Sequence, residues 1–287
     1  MAAKQSAQIK QNHSLFLQLL GFFLIVQLVG LYVGYQLYLQ DVQPIIISDD
    51  PNDIANSFGL LAYVLLGTIF ILLAIKFLPD SVLYWVFKGI EALAVFSTAL
   101  IVFFAFVPEA FAILLAVALV VIRIFAPQYL IWRNVSSVVA TIGAGSLIGV
   151  SAGVLPVIVF LILLAAYDYI AVFKTKHMVT MAKAVAKKNL AFTFALPTPE
   201  HQFELGTGDL VMPLVFSVAV MKQALIAGLV WPAAVIPSLA ILVASFAGLW
   251  LTLDYGNKHI GKALPALPLQ VALMVLMYGI LAGTGII

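Results

Sequence analysis

The stretch Leu161-Ile-Leu-Leu-Ala-Ala-Tyr-Asp-Tyr-Ile-Ala-Val-Phe173 places one acid, Asp168, in an otherwise apolar segment. A second acid, Asp209, lies in Gly206-Thr-Gly-Asp-Leu-Val-Met-Pro213, at the beginning of another apolar segment. A carboxylate at membrane depth is energetically costly, and residues of this kind usually mark a site of function. These two acids are therefore the first candidates for the functional site.

The composition indicates a polytopic membrane protein. Of the 287 residues, 64% are hydrophobic and only 9% are charged, whereas soluble domains average roughly 25% charged residues. The apolar segments follow one another with short gaps, so we expect a single membrane domain, 1–287. The net charge of +2 carries little information about partners, and no basic patch interleaved with aromatics indicates nucleic acid as a partner. The lack of cysteine excludes disulfides and thiolate metal sites, and we expect neither metal nor cofactor.

Nine apolar segments meet or approach the roughly 20 residues that a helix needs to cross the bilayer. The fold class predicted is therefore an all-α polytopic membrane protein with nine transmembrane helices. The predicted spans are 15–39, 58–77, 89–107, 110–125, 129–150, 154–173, 205–229, 233–255 and 264–286.

The basic residues predict the orientation of these spans. If the spans alternate, 13 of the 14 Lys and Arg residues fall on one side, which the positive-inside rule makes cytoplasmic. The N-terminus is then cytoplasmic, the C-terminus lies outside, and 174–204 forms a cytoplasmic loop. Only Lys222 dissents, and we expect it to reach the outer interface by snorkelling. The 13 residues are Lys4, Lys10, Lys76, Lys88, Arg123, Arg133, Lys174, Lys176, Lys183, Lys187, Lys188, Lys258 and Lys262.

Small residues at a spacing of four predict close helix packing. They are Gly30 and Gly34 in the first span, Thr141, Gly145, Gly149 and Gly153 in and after the fifth, and Gly279 and Gly283 in the ninth. In the loop 174–204, the basic stretch 174–188 is compatible with an amphipathic helix on the membrane or with a solvated loop. The run 190–196 has the composition of a short strand. Glu91 lies near Lys88 and is expected to pair with it.

The two acids are predicted to lie at one depth. Asp168 precedes Lys174 by six residues and Asp209 follows Glu204 by five, which places them about 9 Å and about 7.5 Å from the cytoplasmic ends of their helices. Two facing carboxyls do not readily ionise together, so we expect them to share one proton. Gly206 and Gly208 remove side chains beside Asp209, which would let another backbone approach the acid.

A third element, Leu264-Pro-Ala-Leu-Pro-Leu269, precedes the ninth span. Its two prolines are expected to prevent regular helix there and to leave extended backbone with unpaired carbonyls. Such backbone can pair with an extended peptide. Alone, the motif is more often an ordinary helix start than a functional element.

Together these residues resemble the presenilin and signal-peptide-peptidase family of intramembrane aspartyl proteases. Tyr167-Asp168, Gly206-Thr-Gly-Asp209 and Pro265-Ala-Leu267 correspond to the YD, GxGD and PAL motifs, in the expected order and spans. The resemblance implies a presenilin-like fold with Asp168 and Asp209 as the catalytic dyad. Tyr167, Gly206 and Gly208 then neighbour the active site, and Pro265, Ala266 and Leu267 shape the substrate channel.

The resemblance also implies the partners. Substrates would be proteins with transmembrane helices, cut in or near those helices in the cell membrane. The loops are short, which is typical of a compact microbial, archaeal-type homologue, so we expect no obligatory accessory subunits and leave a homo-oligomer open.

A different class of function uses the same residues. Paired intramembrane acids also serve proton- or ion-coupled transporters and channels, and a purely structural pair of hydrogen-bonded acids is a third interpretation. The glycines before Asp209 and the motif at Pro265 favour the protease. A zinc protease would need a His-Glu-x-x-His motif, which is absent.

Overall fold

The chain folds into helices with one small hairpin. The structure, a computed structural model, describes residues 2–175, 193–197, 202–258 and 265–285, with the backbone alone at residues 2–13, 175, 202, 257 and 258. In chain order the elements are α1 (Ala2–Leu39), α2 (Ala55–Phe77), α3 (Asp80–Phe104), α4 (Glu109–Phe125), α5 (Leu130–Ser151), α6 (Val154–Ile170), a π-helical turn (Ala171–Thr175), β1 (Thr193–Pro197), β2 (Gln202–Gly206), α7 (Gly208–Ile226), a 3-10 turn (Ala233–Val235), α8 (Ile236–Lys258) and α9 (Leu267–Gly283).

The described residues thus contain nine α-helices, as predicted. Seven of them are long and apolar enough to cross a membrane. The other two, α4 and α9, have 17 residues each, which corresponds to about 25 Å and to the lower limit of a membrane-spanning helix. The chain is a multi-pass integral membrane protein.

Several predicted helix boundaries differ from those of the structure, and particular residues explain two of the differences. Helix α3 begins at Asp80 rather than at 89, because its polar residues Lys88 and Glu91 neutralise each other and so do not end the helix. Helix α7 begins at Gly208 rather than at 205. The residues just before it are strand, because glycine next to the helix start lowers helix propensity and the preceding segment finds a strand partner instead.

Helix α7 occupies the centre of the molecule. It is the most buried of the spanning helices and contacts α1, α5, α6 and α8. Two of its side chains enter notches at glycines on both neighbours. Leu214 fits between Gly30 of α1 and Gly145 of α5, where an added Cβ at Gly145 would lie 2.7 Å from Leu214.

One turn further along α7, Val218 fits between Gly34 and Gly149 in the same way. These glycines confirm the predicted packing faces of α1 and α5. No such packing is found at α9, where none of the described residues lies within 4 Å of the Cβ position at Gly279 or Gly283.

The hairpin lies in the loop between α6 and α7. Strands β1 and β2 pair antiparallel, with Thr193 opposite Gly206 and Ala195 opposite Glu204. The predicted strand 190–196 is confirmed at 193–196. Residues 176–192, which include most of the predicted amphipathic segment 174–188, lie outside the described part of the chain. Phe194 anchors the hairpin in the core, with its ring 5.3 Å from that of Phe22 in α1.

The loop between α1 and α2 is organised by one buried amide. Asn56 Oδ1 accepts hydrogen bonds from the backbone amides of Ile47 and Ser48, each at 3.0 Å. Its Nδ2 donates to the carbonyl of Asp50 at 2.9 Å. Nearby, the hydrogen bond from the backbone amide of Ala55 holds the pKa of the Asp53 carboxyl below its usual range. The loop is therefore ordered by its own polar groups.

Two buried charged residues, Glu91 and Lys222, find different kinds of partner. Glu91 pairs with Lys88 at 2.6 Å, as expected, and also with Arg123 of α4 at 2.8 Å. The snorkelling prediction for Lys222 is wrong. Its side chain is buried, and its Nζ donates to the carbonyl of Val150 at 2.6 Å, because the last carbonyls of α5 have no donor within their own helix.

Candidate active site

Asp168 lies at the end of α6, two residues before the helix ends at Ile170. The chain continues in the wider π-helical turn, a departure from α-helix that occurs frequently at functional sites. Asp168 is buried. The backbone amide of Leu267, at the beginning of α9, faces its carboxyl. Two elements therefore border this acid, its own helix and the first turn of α9.

Asp209 lies in the first turn of α7, directly after Gly206-Thr-Gly208. The prediction that it sits more than one turn inside a helix beginning at 205 is therefore wrong, and its position is set by the strand-to-helix junction. A Cβ added at Gly206 would lie 3.6 Å from Asp209 Oδ2, and one added at Gly208 would meet none of the described residues within 4 Å. The expected approach of another backbone is therefore not found in the described part of the chain.

The fold brings the two acids together. Helix α6 ends and α7 begins at the same end of the molecule, and the two helices contact each other. The carboxyls lie close enough for the charge of Asp168 to act on Asp209. Two adjacent carboxyls can divide the roles of general base and general acid between them, as in aspartic proteases.

The predicted substrate-binding motif borders the same place. Pro265 is half-buried and outside the helix, while Ala266 and Leu267 are buried. The prediction of extended backbone over 264–269 is wrong from Leu267 onward, because Pro268 lies in the first turn of α9, where its missing N–H costs no helical hydrogen bond. Leu264 lies outside the described residues.

The sequence of the chain shows which family it belongs to. A family model described as "Signal-peptide peptidase, presenilin aspartyl protease" matches residues 20–270, most of the chain. The chain belongs to this family. It is accordingly an intramembrane aspartic endopeptidase, and its substrates are membrane proteins. The transporter interpretation is not favoured.

A solved structure agrees with this fold. The chain titled "Structure of a presenilin family intramembrane aspartate protease in C222 space group" superposes with a TM-score of 0.69 at 22% sequence identity. The match covers 94% of this chain and 99% of that one. A comparison with curated proteins finds no match. At this level of identity the solved structure shows the presenilin-like fold alone.

Tyr167 was also predicted to neighbour the active site. It is half-buried and packs against the apolar cluster that α6, α7 and α9 form beside the acids. No group of three or more His, Cys, Asp or Glu residues that could hold a metal ion occurs in the described part of the chain.

The residues that hold the hairpin beside Asp209 were not predicted from the sequence. Arg133, at the beginning of α5, is buried and binds both Glu204 of β2 and Thr193 of β1 through its Nη2. The amide of the adjacent Asn134 bonds to both the N–H and the carbonyl of Ala195, each at 2.9 Å. Neither residue carries a signal in the sequence, because both could equally belong to a solvated helix start.

Two glutamines that contact the first turn of α7 were also not predicted from the sequence. Gln270 of α9 donates to the carbonyl of Asp209 at 3.1 Å, and Gln27 of α1 donates to the carbonyl of Leu210 at 2.9 Å. The sequence does contain a signal that the carbonyl of Asp209 needs another donor. Pro213 lies four residues after Asp209 and has no N–H to donate to that carbonyl.

Proposed function

We propose that Asp168 and Asp209 form the catalytic dyad of this protease. One carboxylate takes a proton from a water molecule, whose oxygen attacks the carbonyl carbon of the substrate peptide bond. The other carboxyl protonates the carbonyl oxygen. The tetrahedral intermediate then loses the amine, which receives a proton from the dyad, and the C–N bond breaks.

One observation carries this proposal. Two acids from different helices lie near each other at one end of the molecule, and the first turn of α9 borders them both. The amide of Leu267 faces Asp168, and Gln270 donates to the carbonyl of Asp209. Placing the reacting groups in fixed relative positions is itself a large part of catalysis.

We infer that an unwound segment of the substrate pairs with β2 beside Asp209. The outward edge of β1 is occupied by side chains, since Asn134 binds Ala195, Ser137 donates to the carbonyl of Thr193, and Gln18 donates to that of Pro197. An added strand therefore has to use the other side of the hairpin. Strand addition of this kind is a common mode of peptide recognition, and Pro265–Leu267 would border the substrate.

We further infer the topology and partners. The sorting of 13 of the 14 Lys and Arg residues supports a cytoplasmic N-terminus, an outside C-terminus and a dyad near the cytoplasmic face. Substrate segments would be transmembrane helices whose N-terminus lies outside. The short loops support activity without accessory subunits, as a monomer or a homo-oligomer.

The dyad is tested with the purified chain in liposomes and a substrate with one transmembrane helix. The Asp168→Asn and Asp209→Asn variants should each lose cleavage completely, because the remaining acid cannot serve as both base and acid. The measurement is the mass spectrum of the products. Asp254→Asn, which removes an acid from α8, is the matched control and should retain cleavage within about threefold of the wild type.

Retained cleavage in either dyad variant would contradict the proposal. Ion flux that depends on both acids, without any cleavage by the wild type, would favour the transporter.

Substrate pairing is tested with proline, which removes one backbone N–H. Since Ala195 turns its N–H and carbonyl away from β2, the alternation of an antiparallel ladder turns those of Gln202 away from β1. Gln202→Pro should lower cleavage at least about fivefold while the melting temperature Tm stays within about 2 °C, since proline is tolerated on an edge strand. Unchanged cleavage in Gln202→Pro would count against pairing at β2.

A further inference from the structure

Helix α7 contains a proline one turn beyond the Asp209 acid. In an α-helix the N–H of each residue donates to the carbonyl four residues earlier. Pro213 has no N–H, so the carbonyl of Asp209 lacks its helical donor. Inside a membrane protein an unsatisfied carbonyl is costly, and a neighbouring helix has to supply the missing hydrogen bond.

Gln270 of α9 supplies it. Its Nε2 donates to the carbonyl of Asp209 at 3.1 Å and to Ser245 Oγ of α8 at 2.9 Å. Both Gln270 and Ser245 are fully buried. A carbonyl oxygen only accepts hydrogen bonds, so the contact with Asp209 requires the nitrogen of the Gln270 amide to face it. One side-chain nitrogen therefore links α7, α8 and α9 at the turn that carries the acid.

The backbone of α9 is held close enough for this contact by Gly248 of α8. A Cβ at Gly248 would lie 2.9 Å from the Cα of Gln270, so a larger residue there would displace α9. Gln270 also lies one turn after Leu267, whose amide faces the carboxyl of Asp168. The first turn of α9 thus borders the carboxyl of one acid and contacts the backbone of the other.

We propose that Gln270 is a positioning residue, which replaces the hydrogen bond lost at Pro213 and thereby holds Asp209 in register with Asp168. The inference rests on the proposed role of the two acids as the dyad. Gln270 acts on the reaction only through the orientation of the α7 turn, since its amide contacts the backbone of Asp209.

The chain offers a matched control in the same turn. Gln27 of α1 donates to the carbonyl of Leu210 at 2.9 Å and is equally buried. The helical donor for that carbonyl is the N–H of Leu214, which is not a proline. The bond from Gln27 is therefore an addition to the helical one, whereas the bond from Gln270 is a replacement.

The test is a double-mutant cycle between Gln270→Leu and Pro213→Ala, with cleavage rates and KM measured for one transmembrane substrate. Gln270→Leu should lower kcat roughly 10- to 100-fold, the cost of a misplaced catalytic group, with KM within about twofold. Pro213→Ala restores the helical N–H at position 213. In that background Gln270→Leu should lower kcat by less than about threefold.

Gln27→Leu should behave differently, because Pro213→Ala restores no donor to the carbonyl of Leu210. Whatever loss this control variant shows should be the same in both backgrounds. An equal loss of kcat for Gln270→Leu with and without Pro213→Ala would overturn the proposal, as would a loss expressed in KM alone.

The folding of each variant is measured by thermal unfolding, and the same cycle is read as Tm in the Asp168→Asn background. If Gln270→Leu does not fold, the double variant with Pro213→Ala should fold and cleave, and failure of both overturns the proposal. Cleavage by Asp209→Asn would refute the dyad instead. The Tm coupling between positions 213 and 270 does not depend on that result.

Discussion

At the scale of single residues, Asn56 is the residue on which the loop between α1 and α2 depends. Its amide satisfies two backbone N–H groups and one carbonyl. Asn56→Ala leaves these groups without partners and should lower the free energy of unfolding by about 1–3 kcal/mol. Asn56→Asp keeps the acceptor oxygen and should lower the free energy of unfolding by a smaller amount. Thermal unfolding in detergent measures both variants.

The exposed Asp49→Asn substitution in the same loop is the control and should leave Tm unchanged. Equal Tm values for Asn56→Ala and the wild type would show that the loop is held by its apolar contacts instead.

At the scale of elements, the hairpin is attached to α5 by an ion pair. Arg133 reaches across β1 to Glu204 of β2. Because Arg133 is buried but Glu204 is exposed, removing the arginine leaves no buried charge and should cost less than the roughly 3–5 kcal/mol of a fully buried pair. Arg133→Gln should lower Tm and also lower kcat/KM at least about tenfold, because β2 leads directly into Asp209. Cleavage assays on folded protein measure the second effect.

The control is Arg123→Gln, which removes an equally buried arginine from its pair with Glu91. That pair joins α3 to α4, away from the acids, so this variant should lose Tm while its folded fraction keeps its kcat/KM. Equal losses of kcat/KM in the two variants would mean that Arg133 acts only through global stability.

At the scale of the whole molecule, the proposed topology predicts which loops face outward. The chain has no cysteine, so single cysteines can be introduced without removing any. Asp49→Cys, between α1 and α2, should react with a membrane-impermeant maleimide in intact cells. Gln128→Cys, between α4 and α5, should react only after lysis. The reverse pattern would place the N-terminus and the dyad near the outer face.

Much of the candidate site was predictable from residue types alone. Asp168 and Asp209 stand out because charge is rare in apolar segments, and the YD, GxGD and PAL motifs gave the family. The start of α7 was not predictable from hydropathy, because Leu205 is as apolar as a helix residue and becomes strand only through its partner in β1. The position of the Lys222 side chain was likewise not predictable, because its acceptor lies on another helix.

The sequence by itself determined that this is an integral membrane protein, how many helices its described residues contain, and which two acids are the candidates for the site. These properties depend on local composition and on the spacing of a few residues. Only the tertiary structure decided which edge of the hairpin is occupied and which glutamine serves the carbonyl freed by Pro213. Such contacts join residues distant in the chain, as with Gln270 and Asp209, and the packing of α7 between glycines brings them within hydrogen-bonding distance.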